Sequence, residues 1–486
     1  MKILFSSLKP YFLRHKKLLI WGIIFTVISN WFSIYPAQVV RHAFDLIWEL
    51  LKTSKQMQGF SVQKNINEAL FGLLPFFGLL IVALAALRGY FLYLVRQTLI
   101  VMSRKIEYEQ KNELFAAMLE YDRNRIRKMK TGDLMARIGE DVANVRMFVG
   151  PGVMYTVNTV TLFIMILVTM IYVNAELTLY AMLPMPILGL SIYWVHSIII
   201  QKSDEKQKHI GRISAFVQEA FSGIGLIKAF GRETIVREKF ACLSQEYKRK
   251  SLNLILVDAV FMPLIALLVG VSTVMTVWIG SEKAMAGAVT IGNIAEFVIY
   301  INLLIWPVAA LGWVTSLTNK AVSGQKRINE ALNITSEIKY PEIGERPSKK
   351  GPIAVEFRNV NFAYDENQAI KNLSFKMETG KMYAMVGRTG SGKTTILQLI
   401  TRIFQPQSGT IEIFGTPIEN YSKHELRRCF SYVPQDVFLF SDTIAANIAF
   451  AKQEADRETL EKAARFAGIY DEIVRFPQGS ETQIGE

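Results

Sequence analysis

Residues 387–394 read Gly-Arg-Thr-Gly-Ser-Gly-Lys-Thr, glycines leading into a lysine and a threonine at a spacing that suits phosphate chemistry. Glycine has no Cβ, so the backbone N–H groups of such a stretch can turn towards one point and surround an anion. The candidate phosphate-binding set is Gly387, Arg388, Thr389, Gly390, Ser391, Gly392, Lys393, Thr394 and Thr395. Lys393 supplies positive charge for β- and γ-phosphates. The Thr394 hydroxyl supplies an oxygen ligand for Mg2+, a hard cation that keeps part of its water shell. The flanks agree with this chemistry: residues 382–386 are a short apolar run that predicts a buried strand, and 394–404 carry apolar residues at helical spacing. A helix that starts at the loop adds its dipole to the attraction for an anion. A glycine turn that matches by chance is the alternative, and a strand before with a helix after weighs against it.

The rest of the chain has to hold this loop, and its composition is divided. With 486 residues, 51% hydrophobic and 20% charged, and a mean hydropathy of +0.23, it fits neither an ordinary soluble domain nor a set of spanning helices alone. Six stretches lack Asp, Glu, Lys and Arg: 18–40, 69–87, 147–175, 177–201, 259–281 and 297–319. Each can cross a hydrocarbon layer ~30 Å thick, which takes about 20 helical residues. A soluble helix keeps a polar face, so six uncharged runs do not suit one water-soluble core. Basic residues gather before the first run, between the second and third and between the fourth and fifth, as with Lys16, Lys17, Arg125, Arg127, Arg212 and Arg237. The positive-inside rule then puts both termini in the cytoplasm. The net charge of +13 has this topological cause and calls for no nucleic acid as partner. The first run is too long for the apolar region of a secretory signal, and no small-residue cleavage site follows, so it reads as an uncleaved spanning helix. Before it, residues 1–17 mix Phe, Leu and Ile with Lys and Arg, as a short interfacial helix or a plain flexible terminus would.

The cytoplasmic stretches 88–146 and 202–258 are too long for turns and keep helical apolar spacing, which predicts extensions of the spanning helices. A 25-residue extension reaches about 37 Å. Breaks are expected at 130–141 and 222–233, each the tip of a hairpin carrying a short transverse segment. Pro341, Pro347 and Pro352 among charges mark 335–352 as a linker. Cys242 and Cys429, distant in sequence and without ligand spacing, read as reduced thiols. Arg88, Asp258 and Glu296 border uncharged runs and are candidates for a transport path, for a helix-stabilising ion pair or for a snorkelling side chain. Trp194, Met262, Trp306 and Trp313 suit an apolar cavity, lipid contact or helix packing.

With those features, the chain resembles an ATP-binding cassette exporter half-transporter with the membrane domain first, similar to bacterial multidrug and lipid exporters. Thr131, Gly132, Leu134, Arg137 and Asp141 carry the likeness in one cytoplasmic loop, and Glu219, Gly223, Ile227, Lys228, Phe230 and Glu233 in the other. The resemblance implies a multi-domain chain: an all-α six-helix transmembrane domain over 1–334, a linker over 335–352, and the N-terminal part of an α/β P-loop domain over 353–486. It implies ATP and Mg2+ as cofactors and a second half-transporter, identical or not, as partner. A hydrophobic or amphipathic small molecule or lipid is the implied substrate, and the cell membrane the implied location. Tyr364 stands where the family places an adenine-stacking aromatic, though a tyrosine in a strand hairpin would look the same. Gln435 corresponds to the family glutamine that reaches Mg2+ and the attacking water, so Lys393 and Gln435 are the catalytic candidates and Thr394 and Gln435 the metal ligands. Thr482, Gln483, Ile484, Gly485 and Glu486 resemble the start of the segment before the family's signature motif.

No LSGGQ-like signature is present, no apolar strand ending in Asp-Glu follows residue 440, and no histidine follows His424. Phosphoryl transfer to water needs charge stabilisation on both sides of the γ-phosphate, and a P-loop domain needs the strands of its mainly parallel sheet. The expectation is that the intact parent hydrolyses ATP while 1–486 alone binds nucleotide weakly without turnover. A nucleotide-gated channel or regulatory subunit and a non-hydrolysing nucleotide-binding fragment are the other readings. An ATPase assay on 1–486 at physiological Mg2+ is expected to match a Lys393→Ala control; turnover above that control contradicts the expectation.

Overall fold

Hydrocarbon offers a peptide group no hydrogen-bond partner, so a segment that crosses it must satisfy its own backbone, as a helix does. The computed structural model describes residues 2–56, 62–345, 351–435, 437–452 and 455–485. Among these, six helices are long and apolar enough to cross a membrane: Lys16–Thr53, Gly72–Leu119, Thr131–Val173, Ala175–Ser222, Glu233–Met285 and Ile291–Leu332. Each overlaps one of the six uncharged runs. The chain divides into two compact units, 1–121 with 125–335, and 122–124 with 336–486.

In the first unit, α1 (Lys2–Arg14) precedes α2 (Lys16–Gln56). A helix forms over these residues, and one side of it is committed to protein: Leu4, Leu8 and Tyr11 are buried with Leu99, Met102 and Ile106, while Phe5 and Leu13 stay exposed. Polar bonds fix its end, Arg14 Nη1 donating to Glu109 at 2.6 Å and His15 Nε2 lying 2.8 Å from the same carboxylate. Next come α3 (Val62–Val95) and α4 (Val101–Leu119), joined through a π-turn, and then the short α5 (Arg123–Lys128). The outgoing helix is assembled from α6 (Thr131–Ala136), α7 (Val142–Met147) and α8 (Val153–Val173), with π-turns between them. The first hairpin therefore breaks at 120–122 and 129–130, earlier than the expected 130–141. Gly132 and Gly139 are held inside the helix despite a cost of about 1 kcal/mol each, because Asp141 is buried and accepts from Arg327 Nε at 2.7 Å.

The remaining helices are α9 (Ala175–Met182), α10 (Pro184–Ser222), α11 (Ile224–Ala229), α12 (Glu233–Met285) and α13 (Ile291–Leu332). The second hairpin breaks within 222–233 as expected, at Gly223 and at Gly231, whose φ is +58. At the outer end, α2 and α13 are joined by polar bonds. Glu296 is fully buried, accepting from Arg41 Nη1 at 3.2 Å and from the Tyr300 hydroxyl at 2.8 Å. Asp45 accepts from the Gly292 N–H at 3.0 Å and the Thr290 hydroxyl at 2.9 Å. A Cβ on Gly292 would lie 2.4 Å from the Arg41 carbonyl, so only glycine permits this approach. Of the three charges flanking uncharged runs, Glu296 is thus an interhelical partner, whereas Arg88 and Asp258 are exposed. Trp194, Met262, Trp306 and Trp313 are exposed too.

The second unit is built on a sheet of order β2-β1-β3-β4, from β1 (Ile353–Tyr364), β2 (Asn367–Glu378), β3 (Ser408–Ile413) and β4 (Thr416–Pro417). Every pairing in it is antiparallel, where a mainly parallel sheet was expected. Residues 382–386 form no strand, and Met382 and Val386 are almost fully exposed. A strand exists only by pairing with another, and among the described residues none lies alongside this run. Phe357, Val360, Ile370, Ile411 and Ile413 share the core with Leu399 and Phe404. Hydrogen bonds from Arg358 and then Lys376 hold the Glu356 carboxyl down at about 2. A second small lobe pairs β5 (Asp442–Thr443) with β6 (Gln483–Ile484) and carries three helices around Ile444, Ala464 and Ile473. The expected linker 335–352 is strapped down as far as it is described: Tyr340 donates to the Arg402 carbonyl at 3.2 Å and the Glu345 N–H to Asn420 O at 3.0 Å. Pro347 lies outside the described residues.

Two outcomes are expected. Glu296→Ala leaves Arg41 and Tyr300 without their acceptor, and breaking a buried pair this way costs about 3–5 kcal/mol. The thermal midpoint of the purified protein should drop clearly for Glu296→Ala and less for Glu296→Gln, and identical midpoints would show that the pair carries no stability. In the sheet, the depressed Glu356 carboxyl contributes stability above its unfolded value of about 4.3, and that contribution is lost as pH falls through about 2. Glu356→Gln should therefore flatten the acid limb of a pH-stability curve over that window.

Candidate functional site

Lys393 begins α14 (Lys393–Ile400), and Gly392 directly before it has φ +86. Gly390 has the same φ, so the loop reverses twice through the left-handed region that side-chain-bearing residues avoid. Gly392 is constrained sterically as well: a Cβ there would sit 2.8 Å from Ile370 Cδ1 and 3.1 Å from the Ala369 carbonyl, both on β2. The Lys393 ammonium folds back over the arc, donating to the carbonyls of Gly387 at 2.7 Å and Arg388 at 2.9 Å, with Ser391 Oγ at 3.4 Å. The Ser391 N–H closes the turn onto the Arg388 carbonyl at 3.1 Å. Behind the ammonium, the first turn of α14 presents N–H groups that no intrahelical carbonyl can accept. A cation and a set of backbone donors around glycines suit the oxygens of a polyphosphate.

Thr394 is exposed at the helix start, and its neighbour Thr395 is buried. The two hydroxyls are therefore placed differently: that of Thr395 lies 3.1 Å from the Tyr364 hydroxyl, which also donates to Gln398 Oε1 at 3.0 Å. Tyr364, at the end of β1, is half-buried and meets Phe362 and Phe404 edge-on, with centroids 4.8 and 5.3 Å away. The structure thus ties this tyrosine to the helix that follows the phosphate loop. Gln435 is exposed in the irregular segment after α15 (Lys423–Arg427), and no hydrogen bond among the described residues joins it to the loop. Arg388 and Thr389 are exposed on the loop.

Sequence reasoning missed Arg402. The helix expected over 394–404 stops at Ile400 because Arg402 takes φ +49 and turns its side chain inward. There its guanidinium donates to the Ile418 carbonyl at 3.2 Å and the Lys339 carbonyl at 3.0 Å, and stands 4.4 Å from the centre of the Tyr340 ring. Burial pushes its pKa down from the usual arginine value, though arginine still keeps its proton in proteins. Nothing in the local pattern Ile-Thr-Arg-Ile-Phe marks a buried arginine, since its acceptors are distant main-chain carbonyls.

The ABC transporter transmembrane region matches residues 19–308, and the ABC transporter domain residues 370–483. The multidrug resistance-like ATP-binding protein MdlA of Buchnera aphidicola subsp. Baizongia pistaciae is 29% identical over 488 residues, covering 99% of this chain and 81% of that protein. MdlA of Escherichia coli is 28% identical, covering 99% and 79%. An ATP-dependent lipid A-core flippase of Pseudomonas fluorescens is 31% identical over 411 residues, covering 84% and 68%. The chain belongs to the ABC transporter family, as an exporter half-transporter in which a multi-pass region of the cell membrane precedes an ATP-binding domain in the cytoplasm.

Proposed function

We propose that this half-transporter pairs with a second one and uses Mg2+-ATP to move a hydrophobic or amphipathic small molecule or lipid out through the bilayer. The observation that carries the nucleotide part is the Lys393 ammonium held over the glycine arc, 2.7 Å from the Gly387 carbonyl. Its present acceptors are neutral carbonyls, and phosphate oxygens would replace them with stronger, charge-assisted bonds. Thr394, exposed at the first turn, is the residue to reach Mg2+, because the Thr395 hydroxyl already faces Tyr364. Gln435 is proposed to complete the metal and water arrangement from its exposed segment. The Tyr364 ring is proposed to take the adenine while its hydroxyl stays on α14. Held by Thr394 and Gln435, a magnesium ion would supply charge neutralisation on the phosphate; the chain's own part is to orient the phosphates and exclude other geometries. Relatives named for multidrug resistance and for lipid A-core flipping support an amphipathic substrate.

Binding of a fluorescent ATP analogue to the full-length protein tests these roles. Lys393→Ala should weaken it about 10- to 100-fold, the worth of hydrogen bonds to a charged group; unchanged binding would remove the phosphate assignment. For Tyr364, the two candidate contributions separate. Tyr364→Phe keeps the ring and should bind close to wild type, and Tyr364→Ala should lose about two- to tenfold. A Phe variant as weak as Ala would assign the tyrosine to anchoring α14 through its hydroxyl instead.

A further inference from the structure

We propose that residues 336–340 tie the helix behind the glycine loop to the point where the chain passes into the first unit, with Arg402 as the positioning residue at the end of that tie. This role rests on ATP binding at the loop, as proposed above, and gives that event a route towards the first unit. Arg402 stands one residue past the C-cap of α14, where glycine is the usual occupant. Its N–H bonds to the Leu399 carbonyl and the Ile403 N–H to the Gln398 carbonyl, both at 2.9 Å, the bonding of a left-handed helix stop. At φ +49 a side chain is unfavourable, and glycine would end the helix without it. What the arginine adds is reach. Nη1 of the buried guanidinium donates to the Ile418 carbonyl at 3.2 Å and Nη2 to the Lys339 carbonyl at 3.0 Å. Tyr340 closes the contact from the other side, its ring centre 4.4 Å from the guanidinium and its hydroxyl donating to the Arg402 carbonyl at 3.2 Å. Tie and helix stop thus each donate to the other.

The opposite end of the segment is bonded as well. Asp122, a buried residue between α4 and α5 in sequence, has the Ser336 hydroxyl and the Glu337 N–H each 2.5 Å from a carboxylate oxygen. The chain passes between its two units at 121–122, 124–125 and 335–336, so these bonds join the first crossing to the last. Between Glu337 and Lys339 stands one residue, Ile338, whose N–H is itself held by the Ser336 hydroxyl at 3.2 Å. An extended residue spans at most about 3.6 Å, so a link this short has little slack to absorb a shift of the helix stop. At the other end of α14, about 12 Å away, Lys393 exchanges the carbonyls of Gly387 and Arg388 for phosphate oxygens when ATP binds. The helix carries that rearrangement to Arg402, and Arg402 carries it to the tie.

The chain holds its own reporter, because all seven tryptophans lie between residues 21 and 313, in the first unit. The test uses full-length protein in lipid nanodiscs with Mg2+ and records binding of labelled ATP beside tryptophan emission at saturating ATP. Wild type should bind ATP and change its emission. Insertion of two glycines between Ile338 and Lys339 keeps both anchors but slackens the tie, and Asp122→Asn weakens its first anchor. Both variants should bind ATP within about twofold of wild type and lose more than about half of the emission change. Arg402→Gly keeps the helix stop without the guanidinium and should lose the emission change as the insertion does. A full emission change in Arg402→Gly would make the arginine a helix stop alone, and a full change in the insertion variant would show that the segment transmits nothing; either result overturns the tie. So does a wild type that binds ATP with no change in emission. A wild type that binds no ATP removes the nucleotide reading itself, and the tie with it.

Discussion

The inability of lipid hydrocarbon to hydrogen-bond a peptide group is the constraint from which most of this chain follows. It forces the first unit into helices whose backbone is satisfied internally, and it removes the hydrophobic effect as a way of choosing one helix neighbour over another. Specific polar contacts then take over that task. Glu296 with Arg41 and Tyr300, and Asp45 with Gly292 and Thr290, tie α2 to α13 at the outer end. At the cytoplasmic end, where water is available again, buried apolar side chains return as the main cohesion, with Leu4, Leu8, Leu99, Ile106 and Ile328 in one cluster.

The glycine loop before α14 answers a different shortage. Here backbone donors are plentiful and lack acceptors, because a helix N-terminus and a left-handed glycine turn point several N–H groups the same way. The chain steadies this arrangement from both sides. Gly392 is pressed against β2, and Tyr364 reaches from β1 to Thr395 and Gln398 of α14. Arg402 fixes the far end of the same helix by donating to two main-chain carbonyls. A short helix of eight residues is marginal by itself; held at both ends, it can keep the loop in shape.

What could be read in the sequence follows from how local each signal is. The spanning helices were legible because uncharged length is a property of a contiguous run, and the glycine loop before α14 because its glycines and lysine are adjacent. The second hairpin tip was legible from Gly223 and Gly231, where the backbone does break. The first misled, since Gly132 and Gly139 look like breakers and are kept helical by Asp141 meeting Arg327, a contact far apart in sequence. Residues 382–386 were read as a strand from composition alone, but strand formation depends on a neighbour, and their exposure reflects that dependence. The strap at 336–345 looked like free linker because its partners, Arg402 and Asn420, are distant in sequence.

The carboxylates that join the helices of the first unit bear on how such a protein can handle cargo. Asp45, Asp141 and Glu296 have their acceptor oxygens filled by neighbouring helices or by a helix N-terminus, so a passing molecule could bind them only by displacing bonds that hold the helices together. A group of that kind is expensive to recruit. A transporter that must release what it binds is better served by groups whose bonds hold no helices together, where a hydrogen bond worth about 1 kcal/mol is gained and nothing structural is broken. Recognition outside this frame of paired groups lets the frame stay intact while the cargo comes and goes.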